Sequence, residues 1–201
     1  MSLMFNQFDL SKYRTAAEKY LPEKIRVLFI AESPPFFADP TKMAYFFFER
    51  CPGNEMLFST IFQGIFNYQY RKNEDGKKEF LCKFQENGLW LMDAVEYPIN
   101  KRINGKKVPD KERIQIIRQP ENYRKLLRSL SKLRENNVLD FKTKIILIKA
   151  TVFIALREAL TAEGHKILNK NHIGFPRYTG DPLVVNAINT LLSETGITVK
   201  L

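Results

Sequence analysis

Short apolar runs alternate along this chain with segments whose hydrophobic residues recur at helical spacing. Ile25 to Ala31 (IRVLFIA), Leu89 to Val95 (LWLMDAV) and Lys144 to Lys149 (KIILIK) are near-continuous β-branched and large apolar stretches, which predict strands buried on both faces. His165 to Leu168 reads as a short fourth strand. Residues 9 to 20 predict an opening helix, with Asp9 or Ser11 as its cap and Leu10, Tyr13, Ala17 and Tyr20 on one side, ended by Pro22. Further helices are predicted over 54–70, 79–86, 109–118, 121–134 and 151–161. The segment 181–194 has a capping Asp181, Pro182 at the first helical position, and Leu183, Ala187, Ile188, Leu191 and Leu192 on one side. Buried strands alternating with helices, and none with period-2 amphipathicity, predict an α/β three-layer sandwich around a central parallel sheet of about four strands. The expected organisation is one domain over residues 1–201, with 1–24 as an N-terminal helical extension.

Sheets of this kind take ligands beyond the carboxyl ends of their strands. That rim carries Glu32-Ser33-Pro34-Pro35 after the first strand, Asp93 to Asn100 after the second, and Asn171-His172-Ile173-Gly174-Phe175-Pro176 after the fourth. Asp93 stands out as a single acid in an otherwise apolar strand. Tyr45-Phe46-Phe47-Phe48 stands out too, because four consecutive aromatics cannot all point inward from an extended segment.

Composition narrows the classes. An apolar fraction of 44% with 16 Phe in 201 residues supplies a real core and excludes wholesale disorder. Two cysteines, Cys51 and Cys82, exclude a disulfide framework and a four-cysteine cluster, and with two histidines, widely separated, no metal or cofactor is expected. No run approaches the roughly 20 apolar residues of a membrane span, and the start Met1-Ser2-Leu3-Met4 lacks a signal pattern, so a soluble, cytoplasmic monomer is expected. No Gly-rich phosphate loop is present, which counts against a P-loop or dinucleotide-binding protein.

The net charge of +10 is concentrated. From Lys101 to Arg134, twelve basic residues face three acidic ones, a balance of +9. A field this local attracts polyanions, and nucleic acid is the expected partner, with Lys101, Arg102, Lys106, Lys107, Arg124 and Arg128 as candidate contacts. A merely solvated basic helix face is the equal alternative.

Three features of the rim, in order, resemble the uracil-DNA glycosylase superfamily. Ala31-Glu32-Ser33-Pro34 is similar to the family's first motif, a small residue, a polar residue, a water-handling position and proline after strand one. Leu91-Met92-Asp93-Ala94-Val95 resembles its base-reading strand, with Asp in place of Asn. His172-Ile173-Gly174-Phe175-Pro176 occupies the place of its His-led, proline-containing loop before the last helix. The resemblance spans residues 25 to 194. It implies a DNA glycosylase-like protein that flips a damaged base and hydrolyses its N-glycosidic bond, as in DNA repair. Glu32, Ser33 and His172 would be catalytic, and Pro34, Phe46, Asp93, Phe175 and Arg177 would line the base site, with Phe46 stacking on the base.

A second reading keeps the scaffold and the DNA contact but drops the chemistry. Ser33 can orient water but cannot take its proton, and an ionised Asp93 only accepts hydrogen bonds. Plainer roles compete residue by residue: Glu32 and Ser33 as turn or helix caps, Asp93 as an ion-pair partner of Lys101 or Arg177, His172 as a loop hydrogen-bonder, and the aromatics as core. His165 reads as structural.

Overall fold

The computed structural model describes residues 10–36, 44–51, 55–70, 76–100, 106–194, 196 and 199. Four strands, β1 (Val27–Ala31), β2 (Leu89–Asp93), β3 (Lys144–Leu147) and β4 (Lys166–Ile167), form one parallel sheet in the order β2-β1-β3-β4. β1 is buried along its whole length, as its uninterrupted apolar run requires. Seven helices accompany the sheet among the described residues: α1 (Ser11–Lys19), α2 (Met56–Phe66), α3 (Lys77–Glu86), α4 (Asp110–Arg118), α5 (Pro120–Glu135), α6 (Ala150–Ala162) and α7 (Pro182–Ser193).

Strand order dictates how the helices divide. The β1-to-β2 connection runs one way along the sheet, and the β2-to-β3 and β3-to-β4 connections run the other way. Right-handed crossovers therefore put α2 and α3 on one face and α4, α5 and α6 on the opposite face. The observed packing follows, with α2 against α7 and α4 against both α5 and α6. The α2–α7 seam depends on Gly64, where an added Cβ would come within 2.9 Å of Ile188 Cβ and 3.0 Å of the Val185 carbonyl.

Several ends differ from the periodicity. The predicted 54–70 helix stops at Phe66, because Asn67 turns left-handed with φ 52° and the chain folds back. Tyr70 then packs edge-on against Phe58 with centroids 5.0 Å apart. α1 has no side-chain cap; its N-cap is Leu10, Ser11 is its first helical residue, and Asp9 lies outside the described residues. Asp181 does cap α7, accepting from the Leu183 amide at 3.2 Å. The four aromatics resolve by turning. The Phe48 amide donates to the Tyr45 carbonyl at 3.1 Å, so the segment is not extended; Tyr45, Phe46 and Phe47 are buried and Phe48 packs beside them. All four reach the core because the backbone bends between them.

His165 is structural in a specific way. Both its ring nitrogens lie near Arg134 Nη2, at 3.0 and 3.2 Å, in a buried position between α6 and β4. Burial, then the guanidinium, push its pKa down to about 4. An unfolded histidine takes its proton near pH 6.5 whereas the folded one resists until about 4, so this group withdraws stability as pH falls across that window. His165→Gln is expected to reduce the difference in urea-unfolding free energy between pH 7.5 and pH 4.5 by on the order of 2 kcal/mol. An unchanged difference would remove His165 from the acid response.

Candidate functional site

The chain changes direction along the sheet between β1 and β3, and at that point the carboxyl ends of adjacent strands open a crevice. Glu32 follows β1 and Lys149 lies two residues past β3, so one acid and one base face each other across it. Glu32 is only 6% exposed, and both of its oxygens are occupied. Oε2 accepts from Arg113 Nη1 at 2.8 Å and Lys149 Nζ at 2.5 Å; Oε1 accepts from Thr151 Oγ1 at 2.5 Å. Arg113, at 3% exposed on α4, also pairs with Asp110 at the surface, and its Nε has no hydrogen-bond partner. A buried carboxylate shared by two cations is the arrangement that makes burying these charges tolerable.

Lys149 is held in an uncommon conformation. Its φ of 85° is left-handed for a non-glycine residue, and it is the N-cap of α6. Its amide donates to the Ile173 carbonyl at 2.9 Å, beside the Ile148–Ile173 bridge, while its ammonium is tied to Glu32. Strain of this kind persists where the surroundings over-determine the residue. The same ammonium lies 5.4 Å from the centroid of the Phe175 ring.

A cavity of about 700 Å³ opens at this rim. Glu32, Ser33, Asp93, Lys107, Arg113 and Lys149 are among its polar lining residues, and Phe46, Met56, Leu57, Phe58, Leu91 and Phe175 among its apolar ones. Ser33 Oγ accepts from the Ile99 amide at 3.3 Å and lies 3.2 Å from the Pro34 carbonyl. Asp93 ends β2 opposite Ala31 in register. Desolvation, then the neighbouring Glu32 charge, push its carboxyl up to about 7, against a hydrogen bond from Tyr45 that favours the ionised form. Burial and the Asp93 charge in turn raise the Tyr45 hydroxyl well above its ordinary value. Glu55 and Lys77, which also line the cavity, form a buried ion pair at 2.5 Å, and Lys77 Nζ donates to the Tyr45 carbonyl at 3.0 Å.

The rim thus brings together Glu32, Ser33, Phe46, Asp93 and Phe175 from the sequence-derived set. Pro34 is buried next to the cavity while Pro35 lines it. His172 is exposed and outside the lining, its ring 6.5 Å from that of Phe153. Arg177 is exposed and pairs with Asp181 through Nε at 3.0 Å, so it is not the partner of Asp93. Phe46 is buried, and its ring meets those of Phe47, Phe58 and Phe84 edge-on or tilted. Of the basic candidates, Lys106, Lys107, Arg124 and Arg128 are exposed, and Lys107 borders the cavity; Lys101 and Arg102 lie outside the described residues.

Arg113, Lys149 and Thr151 escape a reading of the sequence alone, as does the Glu55–Lys77 pair. A signal for Arg113 exists: it stands four residues before Ile117, on the buried side of α4. Lys149 is signalled by its position, just past β3 beside the acid that follows β1. Among the described residues no three His, Cys, Asp or Glu side chains come together as metal ligands, and no helix is long and apolar enough to cross a membrane. Neither a protein-family model, nor a curated protein, nor a solved structure matches the chain.

Proposed function

We propose that this protein is a DNA glycosylase-like protein that admits a flipped base to the rim cavity and cleaves its N-glycosidic bond. The observation that carries the reading is the convergence of Glu32, Ser33, Phe46, Asp93 and Phe175 on one cavity where the sheet changes direction. Cleaving that bond places positive charge on the sugar and negative charge on the departing base. Lys149 and Arg113 line the cavity as cations held by Glu32, and Phe175, 43% exposed, is its accessible aromatic ring. Glu32, with both oxygens taken, is a positioning residue that fixes those cations rather than a proton acceptor. Asp93 is the cavity carboxyl that titrates near neutrality, which suits it to take a proton from water or hold one for the leaving base. The test is incubation with duplexes that each carry a different damaged base, followed by detection of abasic sites; no abasic product from any duplex rejects the cleavage step.

One observation favours the non-catalytic reading of the same scaffold: His172, the implied partner of the leaving base, lies outside the cavity lining. Both readings place DNA along the exposed basic residues. Changing Lys106, Lys107, Arg124 and Arg128 together to Glu is therefore expected to abolish binding of a generic duplex at moderate salt. Single changes in the same set should each lower the salt slope by about one unit for every phosphate that is no longer neutralised. Unchanged affinity in the quadruple variant would place the DNA elsewhere or nowhere.

A further inference from the structure

From the edge of the cavity a row of alternating cations and rings continues along one side of α6. The Phe153 amide donates to the Lys149 carbonyl at 3.1 Å, so Lys149, Phe153 and Arg157 succeed one another at helical spacing, four residues apart. The loop after β4 supplies the rest of the row. Lys149 Nζ lies 5.4 Å from the Phe175 ring centroid, the Phe153 ring lies 6.5 Å from that of His172, and the Arg157 guanidinium lies 5.4 Å from the Phe153 centroid. Lys149 and Phe175 line the cavity, which is where the row begins. Phe175, His172 and Arg157 are exposed, and Phe153 is half-buried. In the loop between His172 and Phe175, a Cβ added at Gly174 would meet nothing within 4 Å.

Exposed apolar rings scattered singly need no explanation, but rings interleaved with cations beside a cavity do. They offer stacking faces and positive charge together, which is what an unpaired nucleic-acid strand takes: ring faces for its bases and cations for its phosphates. A duplex keeps its base faces inside and cannot use such rings. The charge complementarity extends past the row, because Arg118 of the basic segment donates to the Ile154 carbonyl at 2.7 Å and so brings that segment up to α6. Glu158, the one acid of α6, stands four residues after Ile154 and shares that residue's side of the helix rather than the row.

We infer that Phe175, His172, Phe153 and Arg157 form a stacking platform for single-stranded DNA that runs from the cavity edge along α6. The inference rests on the proposed function, because the cavity at the head of the row is the one assigned to the base, and it adds the form of the substrate: a strand that is unpaired beside the base being admitted. Phe175 takes the base next to the cavity, His172 and Phe153 take the following one, and Arg157 supplies charge at the far end.

Fluorescence anisotropy tests this with a labelled oligothymidylate of about 12 nucleotides and an abasic strand of the same length and charge. The thymidylate is expected to bind at least about tenfold more tightly, since the two strands differ in their rings alone. Phe175→Ala combined with His172→Ala is expected to remove most of that difference, and Phe175→Trp to preserve it, because stacking accepts any broad ring. Both positions are exposed, so the variants should fold, which circular dichroism checks. Equal binding of the two strands overturns the inference. So does a difference that survives in the double alanine variant, or one that is lost in Phe175→Trp. A wild-type dimer in sedimentation velocity that the double variant dissolves, with thymidylate affinity unchanged, overturns it too, by making the row a contact between copies of this chain. Abasic product from a damaged duplex, formed by a protein that binds both strands alike, overturns this inference and leaves the proposed function standing. A thymidylate preference that depends on Phe175 and His172, in a protein that yields no abasic product from any duplex, supports this inference and rejects the cleavage step alone.

Discussion

Replacing Arg113 with Met is expected to lower the unfolding free energy by about 3 kcal/mol, near the lower end of the cost of breaking a buried pair. The reason lies in what remains. Glu32 stays buried, keeps Lys149 and Thr151, and loses the guanidinium that donates to it at 2.8 Å. A carboxylate left in low dielectric with part of its compensation costs more than the pair was worth in total, which is why truncating one partner is harsher than removing both. In a protein of 201 residues this corresponds to a melting temperature roughly 6 to 12 °C lower. Glu32→Gln in the same background removes the stranded charge, so the double variant should regain part of the loss. Urea unfolding of the four proteins of this cycle reads the coupling directly. A coupling energy below about 0.5 kcal/mol would mean that Arg113 and Glu32 do not depend on each other.

Much of the architecture is legible in the linear pattern because β1, β2 and β3 lie in near-continuous apolar runs and helices such as α5 and α7 carry an apolar side. β1, β2 and β3 fall inside the predicted runs, β4 is a two-residue strand inside 165–168, and Asp181 and Pro182 start α7 as their chemistry dictates. Of the charged groups that meet at Glu32, only the acid is legible. Glu32 and Asp93 are conspicuous because each interrupts an apolar context. The cations that answer Glu32 are not, since Arg113 lies within a segment whose other basic residues mostly face solvent and Lys149 looks like an ordinary lysine at a strand end. Counting charge over Lys101 to Arg134 treats them as equivalent, yet Arg113 is buried while Arg124 and Arg128 stand in water. Burial of a charge is a three-dimensional property, visible only when the partner's position is known. The aromatic cluster shows the same limit, because a turn between Tyr45 and Phe48 lets neighbours in sequence share one core.

Asp93→Asn is expected to make the protein more stable at pH 8 by on the order of 3 kcal/mol and to leave it nearly unchanged at pH 4. The sign follows from the direction of the shift. The folded carboxyl is raised to about 7 by desolvation and by Glu32, whereas an unfolded Asp ionises near 3.8. Wild-type stability from this group is therefore full below pH 3.8, declines as pH rises toward 7, and stays lost above it. Asparagine has no charge to bury, and its amide can still accept from the Tyr45 hydroxyl that Asp93 engages. Denaturant unfolding of both proteins at pH 4 and pH 8 measures this, and equal stability at pH 8 would show that the carboxyl is not desolvated. A chain that keeps an acid where an amide would be more stable is tolerating a cost, and such costs gather at functional sites. If Asp93 reads the base, the same substitution replaces a carboxyl edge with one that both donates and accepts, and base preference should move toward uracil by about 1 to 3 kcal/mol. A gain in stability at pH 8 with no change in the excision or binding of any base would leave Asp93 without a role in recognition, and the DNA glycosylase-like reading would lose its main polar contact.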